Sequence, residues 1–192
     1  MRQHALLDVD DSLLCVIDVQ SAFLDKLPPD EGPRLLGRIC WLIRVAHNLG
    51  VPLVVTAEDI PTLGGVHPQV AAALPPDTPV YNKMIFGLAG NPEIMAAVEH
   101  TGRKTAVLVG LETDVCVTQS AIGLLQAGYR VAAVADATGS PGTGHAFGLE
   151  RMRDAGTLAL GFKGLYYEWL RTVERADRFR EQYAEIVHPW PD

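Results

Sequence analysis

Residues 105–136 read TAVLVGLETDVCVTQSAIGLLQAGYRVAAVAD, and this stretch decides the fold. It opens on an apolar run, TAVLVG at 105–110, of strand length. A helical pattern follows, with Val117, Ala121, Leu124 and Leu125 on one face, and it stops at Gly128. A second apolar run, RVAAVAD at 130–136, comes directly after. Glycine past the last helical residue is the usual left-handed helix end, and near-continuous apolar runs suit strands buried on both faces of a parallel sheet.

The same punctuation recurs along the chain. Gly50 precedes PLVVT, Gly102 precedes TAVLVG, Gly128 precedes RVAAVAD, and Gly156 precedes TLALG. With LLCVIDV (13–19) and PVYN (79–82) this predicts six strands. Between them, residues 34–49 place Leu35, Leu36, Ile39, Leu42, Ile43, Ala46 and Leu49 on one helical face. Asn91–Pro92 supplies a cap and a first-turn proline for a helix to about residue 101. Thr143–Ala155 reads as a weaker helix, interrupted by Gly144 and Gly148, and the chain from 164 onward as helical. Residues 57–78, rich in Pro and Gly, read as a long loop with one short helix from His67. Alternating strand and helix imply right-handed crossovers and a three-layer α/β/α fold with a six-stranded, mainly parallel sheet. One domain over residues 1–192 is expected.

Composition narrows the partners. Sixteen Lys and Arg against 23 Asp and Glu give a net charge of −7, with no basic block, so neither nucleic acid nor an anionic membrane surface is an expected partner. No stretch has the length and apolarity of a spanning helix. Three cysteines (15, 40 and 116) lack CxxC or metal-ligand spacing, which fits a reducing cytoplasm better than a disulfide framework.

Ligands of such sheets bind beyond the carboxyl ends of the strands. Asp18 ends the first strand, Lys83 the third, and Cys116 follows the fourth, in what reads as the first turn of a helix. Unpaired N–H groups and the helix dipole favour thiolate there. A nearby carboxylate can take a thiol proton and return it to a leaving amine, and an ammonium stabilises the charge. Taken singly, each has an ordinary reading: Asp18 caps a loop, Lys83 is solvated, Cys116 is an inert core thiol. His145 reads as a surface residue. GSPGTG (139–144) lacks the Lys-Ser/Thr ending of a phosphate loop.

The segments CVIDVQSAF, YNKMIFG and GLETDVCVTQSAIGLLQAGYRVAAVADAT resemble the isochorismatase-like cysteine hydrolases over roughly residues 10–165. That resemblance implies a six-stranded parallel sheet in Rossmann-like order and a catalytic triad of Asp18, Lys83 and Cys116. It also implies a cis peptide at Glu112–Thr113, an oxyanion hole from the N–H groups of Glu112 and Cys116, and a homodimer or larger homo-oligomer. Phe23, Tyr81 and Phe86 are candidate pocket walls. Nicotinamidases of this superfamily bind a metal through a DxH-type motif after strand two, where this chain reads TAEDIPTLGG, with Ile60 in place of the histidine. Glu58, Asp59 and His67 remain nearby, yet neither metal nor cofactor is expected. Retention of the cysteine points to a small amide-like substrate rather than to a vinyl ether. The resemblance lies closest to the metal-free, poorly characterised branch. The competing expectations are a catalytically idle oligomeric scaffold, nicotinamidase-type activity, and redox work by Cys116. The tail IVHPWPD places Trp190 between prolines, as a docking arm.

Overall fold

The computed structural model describes residues 6–189, so Trp190 lies outside the described residues. Six strands form one sheet: β1 (Ser12–Ile17), β2 (Leu53–Glu58), β3 (Val80–Lys83), β4 (Thr105–Leu111), β5 (Arg130–Gly139) and β6 (Leu158–Leu160). Their order is β3-β2-β1-β4-β5-β6, and every pairing is parallel. The helices are α1 (Ser21–Leu24), α2 (Glu31–Asn48), α3 (Ile60–Leu63), α4 (Pro68–Ala73), α5 (Pro92–His100), α6 (Thr118–Gln126), α7 (Gly144–Asp154), α8 (Phe162–Leu170) and α9 (Val173–Gln182). The two four-residue helices, α1 and α3, escape a sequence reading because one turn carries no periodicity.

The central strands explain the layers. Every residue of β1 and β4 is buried. Leu14 and Val16 of β1 join a core with α2 and α8, while Leu13, Cys15 and Ile17 join the opposite core with α5 and α6. This alternation is the period-two geometry of a strand covered on both faces. Asn91 caps α5 as expected, its Oδ1 accepting from the N–H groups of Glu93 and Ile94 at 2.9 and 3.3 Å. His67 caps α4, Nδ1 accepting from the N–H of Gln69 at 3.2 Å.

Register brings the strand ends level. Ile17 pairs with Thr56 on one side and with Gly110 on the other, and Glu58 pairs with Lys83. Gly110 has φ 124° and backs onto the Ile17 main chain, so a side chain has no room there. Beyond Leu108, β5 runs three residues longer than β4 before pairing resumes at Gly110 and Thr138. That bulge carries Asp136, whose Oδ1 accepts from the N–H of Phe162 at 2.8 Å and holds the start of α8.

Candidate active site

Asp18 follows β1 with φ 49°, a left-handed conformation that Asp tolerates better than most residues and that concentrates at functional positions. The β1–β2 neighbourhood fixes it. Its N–H donates to the Thr56 carbonyl at 3.1 Å, and the Thr56 hydroxyl donates to its Oδ1 at 2.7 Å. Lys83 starts two strands away, on β3. Its stem crosses the end of β2 and sets Nζ 2.8 Å from Asp18 Oδ2, with both side chains 0% exposed. The same ammonium donates to the Ile85 carbonyl at 3.1 Å and to Cys116 Sγ at 3.5 Å. The ordinary reading of Lys83 as a solvated lysine therefore fails: an edge strand beside β2 delivers it inward, and an ion pair makes that burial tolerable.

Cys116 lies in a wide turn, Thr113–Val117, ahead of α6, where the Val117 N–H reaches back five residues to the Glu112 carbonyl at 3.1 Å. It is thus not in the first turn of an ordinary α-helix. Its sulfur is buried and hydrogen-bonds Glu58 Oε2 at 3.2 Å. Burial first, and the Asp18 charge second, push the thiol pKa up, against the downward pull of Lys83. Burial raises the Asp18 carboxyl above the usual carboxylate range despite the Lys83 charge. For Lys83 burial works downward, but the Asp18 charge and hydrogen bond prevail and hold the ammonium above its ordinary range.

The turn around the nucleophile is held from α6 and α7. Thr113 Oγ1 shares a 2.9 Å hydrogen bond with His145 Nδ1, and the Thr118 hydroxyl donates to the Thr113 carbonyl at 2.6 Å. His145, read from sequence as a surface residue, is half-buried, and burial lowers its pKa. GSPGTG turns out to serve the same turn: the Ser140 hydroxyl donates to Asp114 Oδ1 at 2.7 Å. The non-proline cis bond is Leu111–Glu112, one bond earlier than the expected Glu112–Thr113. Leu111 still pairs with Gly139 in the ladder, and Glu112 is the first residue beyond it. Glu112 Oε1 pairs with Lys26 Nζ at 2.9 Å.

Asp18, Lys83 and Cys116 come together, and the three aromatic candidates differ in burial. Phe23 packs into the core on the α2 side, Tyr81 lies against the opposite core, and Phe86 is exposed. Sequence reasoning missed Thr56 and Gln20 and left Glu58 as a loop acid. Buried Gln20 grips the Glu58 main chain in both directions: Oε1 accepts its N–H at 2.7 Å and Nε2 donates to its carbonyl at 2.9 Å. A carboxylate on the last residue of β2 was a usable hint, but only the sheet order places β2 beside β1. Asp18, Glu58 and Cys116 hold donor atoms within 4.8 Å of one another, a set able to take a cation. Lys83 Nζ already stands among them, 3.7 Å from Glu58 Oε2, so a dication would face that ammonium.

Residues 12–161 match the isochorismatase domain model. "Isochorismatase domain-containing protein 2" of Xenopus laevis is 27% identical over 194 residues, covering 100% of this chain and 91% of that protein. "Probable hydrolase YcaC" of Escherichia coli is 25% identical over 181 residues, covering 90% of this chain and 86% of that protein. Among solved structures, the MAR1 ribonuclease of Caenorhabditis elegans superposes with a TM-score of 0.86 at 25% identity, over 98% of this chain and 95% of that one. The YcaC gene product of Escherichia coli, described as an octameric hydrolase of unknown specificity, superposes at 0.80 with 21% identity, over 96% and 98%.

Proposed function

The chain belongs to the isochorismatase family of hydrolases, and from that footing we propose that it cleaves the C–N bond of a small amide through a thioester on Cys116. One observation carries the reading: a fully buried Asp18–Lys83 ion pair lies against the sulfur of a cysteine at the strand-end rim. Asp18 takes the thiol proton as the sulfur attacks the carbonyl carbon. Lys83 balances the charge at the sulfur and the carboxylate. The N–H groups of Glu112 and Cys116 face the developing oxyanion. As the C–N bond breaks, Asp18 returns the proton to the leaving amine. A water molecule then gives its proton to Asp18 and its oxygen to the acyl carbon, releasing a carboxylic acid and restoring the thiol.

The C. elegans neighbour is a ribonuclease by name, but a chain of net charge −7 is poorly suited to polyanionic RNA. Met84, Ile85 and Phe86, directly after Lys83, are exposed, which supports assembly into a homo-oligomer that covers them. Three unpaired cysteines support a cytoplasmic setting, and no helix among the described residues is long and apolar enough to cross a membrane. The test is an ammonia-release screen over small amides, hydantoin-like ureas and nicotinamide, with and without a chelator. Turnover should be abolished by Cys116→Ala and unaffected by the chelator. Undiminished turnover by Cys116→Ala removes the mechanism, and loss of turnover with the chelator favours a nicotinamidase-type metal site.

A further inference from the structure

We infer that Glu58 restricts this site to uncharged or cationic carbonyl compounds, its carboxylate standing against the nucleophilic sulfur as a charge that no cation of its own neutralises. The inference rests on the hydrolase reading only in calling those compounds substrates.

The charge count around the sulfur comes out negative. Lys83 is committed to Asp18 at 2.8 Å and reaches Glu58 only at 3.7 Å. The thiol, lifted by burial, adds nothing while protonated. One ammonium therefore faces two carboxylates. On the neighbouring turn Glu112 is matched by Lys26, whereas Asp114 is held by the neutral Ser140 hydroxyl. His145 is kept toward its uncharged form by burial.

Access differs as sharply as charge. Asp18 and Lys83 are 0% exposed, and the Glu58 side chain is 20% exposed, so an incoming molecule meets Glu58 before the ion pair. Its position is built rather than accidental. Gln20 clamps its main chain from both sides and anchors itself to the Gly64 carbonyl at 2.7 Å, which leaves the carboxylate directed at Sγ. A lysine shut inside an ion pair offers nothing to a substrate carboxylate, while Glu58 repels one. For unit charges about 5 Å apart in water-like surroundings the repulsion slows an anion about fourfold, and any shielding from water enlarges the factor.

Alkylation of Cys116 measures this without any turnover. Rates with iodoacetamide and with iodoacetate are read at the Cys116 peptide by mass spectrometry and divided by the same pair of rates on 2-mercaptoethanol. Both rates come from one sulfur, so a change in its acidity cancels. The corrected preference for iodoacetamide should be about fourfold or more in the unaltered protein. It should fall to about one in Glu58→Gln and persist in Glu58→Asp, and 2-bromoethylamine should show the mirror-image preference. In the unaltered protein, raising NaCl from about 20 mM to about 1 M should erase most of the effect, a measurement that needs no variant. An unaltered protein without preference, or a preference that survives Glu58→Gln, overturns the inference. A clear preference in a protein that hydrolyses no amide leaves the inference standing and sinks the hydrolase reading. Hydrolysis without preference does the reverse.

Discussion

Replacing Lys83 by Met keeps most of the stem and removes the charge, leaving the buried Asp18 carboxyl without its cation and with the Thr56 hydroxyl still donating to it. Both members of the pair are 0% exposed, so solvent screening gives no relief. Breaking a buried ion pair from one side costs about 3–5 kcal/mol. For a chain of this length 3 kcal/mol lowers Tm by roughly 6–12 °C. The pH dependence follows from the sign of the Asp18 shift, which is upward through burial and becomes larger once Lys83 no longer opposes it. A carboxyl with a folded pKa above its unfolded value costs nothing when protonated in both states. It costs progressively more as pH climbs from the unfolded value of about 3.9 through the folded one. Urea unfolding followed by circular dichroism at intervals from pH 4 to pH 8 should show Lys83→Met trailing the parent most at pH 7–8 and converging with it toward pH 4. Asp18→Asn combined with Lys83→Met should recover much of the loss, because no buried charge remains. A loss below about 1 kcal/mol at pH 7, or one that does not change between pH 4.5 and pH 8, would refute the account of the pair.

Gly148 lies where an added Cβ would stand 2.7 Å from the Asp114 nitrogen and 2.8 Å from the Thr113 carbonyl carbon, both main chain of the nucleophile turn. Gly148→Ala should cost about 1–3 kcal/mol and at least about tenfold in turnover, and a fully active variant would argue that the turn tolerates displacement. Because burial raises the Cys116 thiol pKa, iodoacetamide labelling should climb about tenfold per pH unit through pH 9, whereas a plateau below pH 8 would indicate a thiolate already present at rest. Asn91→Ala removes a cap that accepts two N–H groups of α5, far from the sulfur in the chain. It should cost about 1 kcal/mol on thermal unfolding while leaving turnover unchanged.

The periodic elements were legible because their causes are local. An apolar run, a one-sided stripe and a terminal glycine act within a few residues, and β1 to β6 and α5 lie where these features put them. Asp18 and Lys83 could be assigned to strand ends on the same grounds. The burial of Lys83 could not. A lysine after a short strand usually meets water, and only the placement of β3 outside β2 lets its stem cross to Asp18. His145 was misread for the related reason that a glycine-interrupted helix looks exposed, while Gly148 in fact admits the Thr113–Asp114 main chain at close range.

What the amino-acid order determined by itself is the alternation of strand and helix and the presence of an acid, an amine and a thiol at three strand ends. What the tertiary structure alone decided is which of these groups touch. Lys83 meets a sulfur 33 residues away, and that sulfur meets Glu58 across 58 residues. Such contacts are set by sheet order and register, which depend on how whole strands bury their faces against one another, and no local pattern within TAED or YNK encodes that choice.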